Sequence, residues 1–141
     1  MLFRSELAQR GRELPLSFNR KEAKAHGEGG QLIGADMNGK RVLIVDDVIT
    51  AGTAIREALG IIRDAGGIPA GIVVALDRQE IASDTDHRSA AQAVAEEAGI
   101  PVIAVATLAD LLDFASGNPE LVGYRQPLEA YRAQYGVRSI R

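Results

Sequence analysis

The chain has 141 residues, of which 46% are hydrophobic and 25% charged, as is typical of a single globular domain. It contains no cysteine, which excludes disulfide bonds and thiolate metal sites and suits a cytoplasmic protein. A formal net charge of -3 argues against general nucleic-acid binding, and no apolar run is long enough to predict a membrane helix. An anionic ligand must therefore be held by a local concentration of positive charge.

The first third of the chain carries weak structural signals. Ser5–Arg10 is consistent with the end of a helix closed by Gly11, and Leu14–Phe18 with a short strand. Residues 19–34 are polar and charged and contain four glycines, so they predict a mobile surface loop rather than core.

Three apolar runs rich in β-branched residues follow. Their continuous apolarity predicts parallel strands covered on both faces. The runs are Val42–Val45, Ile72–Leu76 and Val102–Ala106.

Segments with helical spacing separate these runs. Thr53–Ala65 has one apolar stripe and ends at Gly66-Gly67, and a second helix is expected at about His87–Ala98. The order strand, helix, strand, helix, strand predicts an α/β fold with a right-handed parallel sheet.

The end of the chain predicts two more helices. One starts after a threonine cap at Thr107, and the other covers Leu121–Tyr135, where Pro127 should bend or divide it. We expect the tyrosines of this last helix to serve packing. His87 lies in a polar segment typical of a helix N-terminal region, and we assign it no function.

Residues 42–54 carry the strongest functional signal, because an apolar strand leads directly into two carboxylates and a turn of small residues. Asp46 and Asp47 at the end of a buried strand would be costly without a partner, and two neighbouring sugar hydroxyls could supply hydrogen bonds. The turn Thr50–Thr53 is small enough for backbone N–H groups to enclose a phosphate at a helix N-terminus. The alternative is that the aspartates cap a turn and Thr53 caps the helix.

A second cluster lies in the glycine-rich loop. It places three cations and a histidine within seven positions: Arg20, Lys21, Lys24 and His26. Such a loop could close over a polyanion and stabilise negative charge on a departing group. A solvated charged loop, diluted by Glu22 and Glu28, is the alternative.

Arg78 follows the second core strand, at the sheet edge expected to hold the two aspartates. Its guanidinium could form paired hydrogen bonds to a planar carboxylate ligand. An ion pair with Asp77 or Glu80 is the alternative account, and we interpret those two acidic residues as structural.

The string Val42–Ala54 resembles the phosphoribosyl pyrophosphate (PRPP) motif of type I phosphoribosyltransferases. The segment Phe18–Gly30 resembles the catalytic loop of the orotate phosphoribosyltransferases, and Leu76–Glu80 resembles their orotate-binding segment. The resemblance implies a Rossmann-like type I phosphoribosyltransferase fold, incomplete at its N-terminal side and comprising one domain over residues 1–141, with residues 19–34 as the mobile catalytic loop.

The resemblance also implies the role of each site residue. Asp46 and Asp47 would contact the ribose hydroxyls and act in catalysis with Lys24 and His26, and Arg78 with Thr50 would bind orotate. The PRPP contacts would come from Arg20, Lys21, Lys24, His26, Asp46, Asp47, Val48, Ile49, Thr50, Ala51, Gly52, Thr53 and Ala54.

The implied reaction joins orotate to PRPP, giving orotidine 5-monophosphate and pyrophosphate in pyrimidine synthesis. Mg²⁺ would be carried mainly by PRPP oxygens and water, with few protein ligands, and a homodimer would share the catalytic loop across subunits. Nucleic acid and membrane are not expected as partners. The alternatives are a PRPP-binding regulator without catalysis, an inactive fragment of an enzyme, and, as a weaker rival, transfer to a purine base.

Overall fold

The computed structural model describes residues 2–19, 32–83 and 86–137, with side chains from Glu6 onward. These residues form five helices and seven strands. The helices are α1 Leu2–Gln9, α2 Thr53–Asp64, α3 Ala90–Ala98, α4 Leu108–Gly117 and α5 Val122–Tyr135. The strands are β1 Ser17–Asn19, β2 Leu32–Gly34, β3 Arg41–Val48, β4 Ile68–Asp77, β5 Ile81–Ser83, β6 Asp86–Ser89 and β7 Val102–Thr107.

A three-stranded parallel sheet lies at the centre, in the order β3-β4-β7. All three strands contain the apolar runs that predicted them, so the expected α/β architecture is confirmed. Val48 pairs with Leu76, and Asp77 pairs with Thr107. The carboxyl ends of the three strands therefore meet at one edge, and the residues that follow β3 and β4 emerge side by side.

One face of this sheet packs against α2 and α3. Both helices connect neighbouring parallel strands, and right-handed connections place them on the same side. A single buried cluster joins the three elements. It comprises Ile44, Ile72 and Val74 of the sheet, Ile49, Ile55, Leu59 and Ile62 before and within α2, and Ala90, Ala91 and Val94 of α3.

The opposite face carries exposed apolar side chains, which corrects the expectation that both faces are covered. Leu43 and Val45 on β3 are half exposed, Ile103 on β7 is 56% exposed, and Val105 is 78% exposed. The described residues leave these four side chains open to solvent. Continuous apolarity in a strand shows that both faces are suited to burial, but it does not identify what covers each face.

The helix α2 agrees closely with its prediction. It begins at Thr53 and ends one residue before the expected Ala65, and Ile55, Leu59 and Ile62 form its buried stripe. Gly66 has φ +72° and the Gly67 amide donates to the Ile62 carbonyl, as a glycine stop requires.

The segment before α3 differs from its prediction. His87 lies in β6, which pairs with β5 as a hairpin, and α3 begins only at Ala90. The N-cap is Ser89, which forms a capping box with Gln92. Arg88 binds Asp86 on its own strand and Glu96 on α3, and its hydrogen bonds lower the pKa of Asp86 to about 2.

The terminal segments follow the predicted elements with shifted bounds. The first helix ends at Gln9, Gly11 has φ +69°, and the first strand is Ser17–Asn19 rather than 14–18. Near the C-terminus, Thr107 caps α4 as predicted, whereas α5 runs from Val122 through Pro127 to Tyr135 without division.

Within the part of the chain that the structure describes, no helix is both long and apolar enough to cross a membrane.

The exposed sheet face predicts that the isolated chain self-associates. Burying an exposed Val, Leu or Ile side chain is worth about 1.5–3 kcal/mol, so four of them favour contact between molecules. Val105→Lys should shift the chain toward monomer in sedimentation velocity, because it places a charge at the most exposed of these four apolar positions. Val122→Lys, on an exposed position of α5, should leave the distribution unchanged. A wild-type chain that stays monomeric at high concentration would contradict the prediction.

Candidate functional site

The two aspartates lie at the carboxyl end of β3. Asp46 is half-buried and Asp47 is exposed. Oδ1 of Asp46 accepts from the Asp47 amide at 2.9 Å, and Oδ1 of Asp47 accepts from the Val48 amide at 2.8 Å. These bonds turn both carboxylates forward along the chain, toward the sheet edge. Among the described residues, no donor reaches the second oxygen of either carboxylate, so each has an acceptor left for a ligand.

The turn after β3 leads into α2 without a side-chain cap. The Ile49 side chain is buried in the core at 2% exposure, whereas Thr50 and Ala51 are exposed. Gly52 is the N-cap residue, with φ +75°, and Thr53 is the first helical residue. The alternative expectation that Thr53 caps the helix is therefore wrong.

The amides at the start of α2 lack the partners that a side-chain cap would supply. The first helical hydrogen bond runs from the Arg56 amide to the Gly52 carbonyl at 3.0 Å. The amides of residues 52–55 donate to no described residue, as expected where a helix begins without a cap. The contrast with α3 and α4 is clear, because Ser89 and Thr107 accept amide hydrogen bonds there. Four free donors and the positive end of the helix dipole together favour an anion.

Gly52 is required by its surroundings as well as by its φ angle. A Cβ atom at this position would lie 2.5 Å from Cγ2 of Val94, a buried and β-branched residue of α3. Its conformation is one that L-residues adopt at a cost. The close approach of α3 thus fixes the turn in the shape that leaves its amides open.

Arg56 on α2 is a residue that the sequence analysis missed. Its Nη1 donates to the Ala51 carbonyl at 2.6 Å, and Nε donates to Glu97 on α3 at 2.8 Å. Hydrogen bonding to Glu97 raises the pKa of Arg56 and lowers that of Glu97. An Arg four residues after an N-cap glycine was the available signal, but its partner lies 41 residues away.

Arg78 emerges beside this turn, directly after β4. Its side chain is 32% exposed, and Nη2 forms an ion pair with Glu80 at 3.1 Å. The expected structural role of Glu80 agrees with this contact. The Nε atom is buried and has no hydrogen-bond partner in the described structure. A buried guanidinium N–H without a partner is costly, so this atom is a candidate for binding an acceptor on a ligand.

The turn that holds Arg78 is constrained by its neighbours. Gln79 has φ +54°, which is unusual for a non-glycine residue. Its amide donates to Asp77 at 2.8 Å, its carbonyl accepts from Val137, and its side-chain oxygen accepts from the Ala109 amide. Gln79 therefore ties the end of β4 to α4 and to the segment after α5, a role that sequence reasoning missed because both contacts are distant in sequence.

The last helix also reaches this segment. The Tyr131 hydroxyl donates to Glu80, which raises the pKa of Tyr131, and its ring lies 5.0 Å from that of Tyr135. The packing expected of Tyr131 and Tyr135 is thus observed, and Tyr131 has a polar contact in addition. Tyr124 is exposed.

The cationic loop is only partly within the described structure. Arg20, Lys21, Lys24 and His26 lie outside the described residues. The two ends of the predicted 19–34 loop are strands, because Asn19 pairs with Leu32 in the β1-β2 ladder. The loop prediction is therefore too long at both ends.

The geometry at Gly52 yields a stability prediction. Gly52→Ala should lower the free energy of unfolding by at least about 1–2 kcal/mol, because the left-handed conformation disfavours a Cβ, and the Val94 contact adds to that loss. Gly60→Ala is the matched control, since nothing lies within 4 Å of a Cβ there. That change should stabilise α2 by about 0.5–1 kcal/mol. Chemical denaturation measures both; equal effects would refute the constraint at Gly52.

Comparison with known proteins places this geometry in a family. The family model for the phosphoribosyl transferase domain matches residues 2–100. An orotate phosphoribosyltransferase of Stenotrophomonas maltophilia (strain K279a) is 93% identical over 136 residues, which cover 96% of this chain and 62% of that protein. The chain thus spans about three-fifths of the length of this curated relative.

Solved structures agree with the sequence match. The crystal structure of orotate phosphoribosyltransferase from Francisella tularensis has a TM-score of 0.75 and 33% identity, covering 94% of this chain and 62% of that chain. The Mycobacterium tuberculosis H37Rv orotate phosphoribosyltransferase in complex with PRPP has a TM-score of 0.56 and 32% identity, covering 72% of this chain and 52% of that one. The chain belongs to the phosphoribosyl transferase domain family.

Proposed function

We propose that the chain is the PRPP-binding portion of an orotate phosphoribosyltransferase, which joins orotate to PRPP and releases pyrophosphate. The observation that carries the proposal is the junction of β3 and α2. Two carboxylates with unused acceptors lie directly before a helix N-terminus whose amides are unpartnered. A sugar phosphate needs hydrogen-bond acceptors for its hydroxyl groups and hydrogen-bond donors for its phosphate oxygens, and this junction offers both. The relatives named orotate phosphoribosyltransferases support the choice of reaction.

PRPP would bind along this junction. Asp46 and Asp47 would accept hydrogen bonds from the ribose hydroxyls, and the turn from Thr50 to Ala54 would hold the 5-phosphate. Val48 and Ile49 would contribute backbone only, because the Ile49 side chain belongs to the core. The Mycobacterium tuberculosis relative solved in complex with PRPP supports this ligand.

Orotate would bind at the neighbouring strand end. The unpartnered Nε of Arg78, with the rest of its guanidinium, suits a planar carboxylate, because two N–H groups can reach both oxygens. Thr50 would add a hydroxyl donor from the adjacent turn. Glu80 already accepts a hydrogen bond from Arg78 and would keep the Arg78 side chain from turning away from orotate.

The loop residues complete the proposed site. Lys24, His26, Arg20 and Lys21 would contact the pyrophosphate, with Lys24 and His26 acting in catalysis. We further propose a homodimer that shares this loop between subunits, and a cytoplasmic location, for which the absence of cysteine is the supporting feature.

Mg²⁺ fits the chemistry of the described site as a substrate-borne ion. Among the described residues, no three acidic, histidine or cysteine side chains converge on a metal position. Mg²⁺ often binds through one or two carboxylates, substrate phosphates and water, and Asp46 and Asp47 offer those carboxylates. When bound, Mg²⁺ would offset the negative charge of the pyrophosphate.

The residues would act on opposite charges that develop as the glycosidic bond loosens. Positive charge grows on the ribose, and the carboxylates of Asp46 and Asp47 stabilise it. Negative charge grows on the pyrophosphate, and Lys24, His26 and Arg20 stabilise that. The α2 amides hold the 5-phosphate fixed, so the anomeric carbon of the ribose stays in place between orotate and the departing pyrophosphate.

A second candidate is a PRPP-binding chain without turnover. The exposed face of Leu43, Val45, Ile103 and Val105 favours it, because a core open on one side is less rigid than a covered one. PRPP binding without orotate consumption would identify this case. A non-catalytic regulator would give the same result, and the full-length protein distinguishes the two.

Orotate consumption tests the proposal. Loss of orotate ultraviolet absorbance with PRPP and Mg²⁺ should occur with the wild-type sequence, and Lys24→Ala should lower kcat by about 10²-fold or more. Arg78→Ala should instead raise the KM for orotate by about tenfold, because it removes a charge-assisted hydrogen bond.

The assay is run on this chain and on a full-length relative carrying the same substitutions. An unchanged kcat for the Lys24 variant of an active protein would refute the role of the loop. Equal effects of Arg78→Ala on the KM values of orotate and PRPP would refute the orotate assignment.

A further inference from the structure

The turn before α2 is held from one side by two residues of the same helix, α3. Val94 contacts the position of Gly52, and Glu97 binds Arg56. Residues three apart lie on one face of a helix. One face of α3 thus supports the turn at two points, one apolar and one charged.

Arg56 connects that support to the turn backbone. Its guanidinium donates to both carboxylate oxygens of Glu97, from Nε at 2.8 Å and from Nη2 at 3.1 Å. The remaining Nη1 donates to the Ala51 carbonyl at 2.6 Å. The guanidinium is planar and rigid, so a carboxylate that holds Nε and Nη2 also fixes the position of Nη1. The position of Glu97 therefore determines where the Ala51 carbonyl is held.

The Ala51 carbonyl determines where the next amide points. The described chain contains no cis peptide bonds, and in a planar trans peptide the C=O and N–H groups point in opposite directions. With the carbonyl turned toward Arg56, the Gly52 N–H points away from it. This amide is the first of the four unpartnered donors before and within α2.

Stability alone is a poor explanation for this arrangement. The Arg56 and Glu97 side chains are 45% and 46% exposed, and ion pairs this exposed contribute little to folding. The bond to Ala51 adds no secondary structure. Its effect is confined to the orientation of one peptide in the turn.

We infer that Arg56, held by Glu97, is a positioning residue for the phosphate-binding turn. It orients the Ala51–Gly52 peptide so that the Gly52 amide faces the 5-phosphate of PRPP. The inference rests on the proposed function, since it assigns a part to one subsite of that function. It differs from a direct role of Arg56 as a phosphate ligand, because each guanidinium nitrogen already donates one hydrogen bond within the protein, to Glu97 or to the Ala51 carbonyl.

The two roles predict opposite signs for Glu97→Gln. If Arg56 attracted the phosphate by charge, removing a nearby negative charge would tighten binding. If Arg56 positions the turn, the same change loosens the guanidinium and weakens binding. Glu57→Gln, an exposed position on α2, is the matched control for removal of a negative charge, and Arg63→Ala is the control for removal of a positive one.

Isothermal titration with ribose 5-phosphate and with PRPP measures the effect. Arg56→Ala and Arg56→Lys should each weaken binding by about tenfold, the loss expected for one charge-assisted hydrogen bond, because lysine keeps the charge but lacks the planar fork that fixes Glu97 and the Ala51 carbonyl relative to each other. Glu97→Gln should weaken binding severalfold, and both controls should change it less than twofold. Full binding by Arg56→Lys, or tighter binding by Glu97→Gln, would overturn the inference. Circular dichroism establishes that each variant is folded.

A ligand-free measurement separates this inference from the proposed function. Arg56→Ala should shift the Gly52 amide resonance, because it frees the Ala51–Gly52 peptide to rotate, while the Gln92 amide, which Ser89 caps, stays unchanged. An unaltered Gly52 amide would refute the positioning role even if the ligands bind. If the wild-type chain binds neither ligand, but Arg56→Ala still changes the Gly52 amide, the proposed function is refuted and the positioning of the turn is established.

Discussion

The left-handed glycine at the N-terminus of α2 is the constraint on which the site depends. Because Gly52 has φ +75° and packs against Val94, no side chain caps this helix, and the amides of residues 52–55 remain open. Uncapped helix ends cost stability, and Ser89 and Thr107 show that the chain caps its helices elsewhere. The cost at α2 is offset when an anion supplies the missing acceptors.

The parallel sheet brings this local feature beside Arg78, the residue proposed to bind the second substrate. The register of β3, β4 and β7 brings Val48, Leu76 and Ala106 to one level, so the turn after β3 and Arg78 after β4 share an edge. Gln79 and Tyr131 then fasten the Arg78 segment to the last two helices. The proposed phosphate and base subsites thus have separate supports, α3 for the first and the C-terminal helices for the second.

Features that depend on residues close together in sequence could be predicted, whereas features that depend on distant residues could not. The strands, α2 and the Thr107 cap were predictable because apolar spacing and capping are local signals. His87 was misassigned to a helix because the Ser89-Gln92 capping box lies two residues later, and polar hairpin strands lack an apolar pattern. The exposed sheet face, the Arg56 bridge and the Gln79 contacts depend on partners 30 or more residues away, or on packing that no local pattern encodes. Roles for Lys24 and its neighbours remain predictions from resemblance.

Amide resonances in the presence of ribose 5-phosphate test the central claim most directly. On ¹⁵N-labelled chain, with Val105→Lys in the background if association broadens the signals, the largest shifts should fall on the amides of residues 52–55. These groups gain an acceptor, whereas the amides capped by Ser89 and Thr107 already have one and should not move. Shifts centred elsewhere, or the absence of shifts from a folded chain at saturating ligand, would contradict the assignment of the α2 N-terminus as the phosphate site.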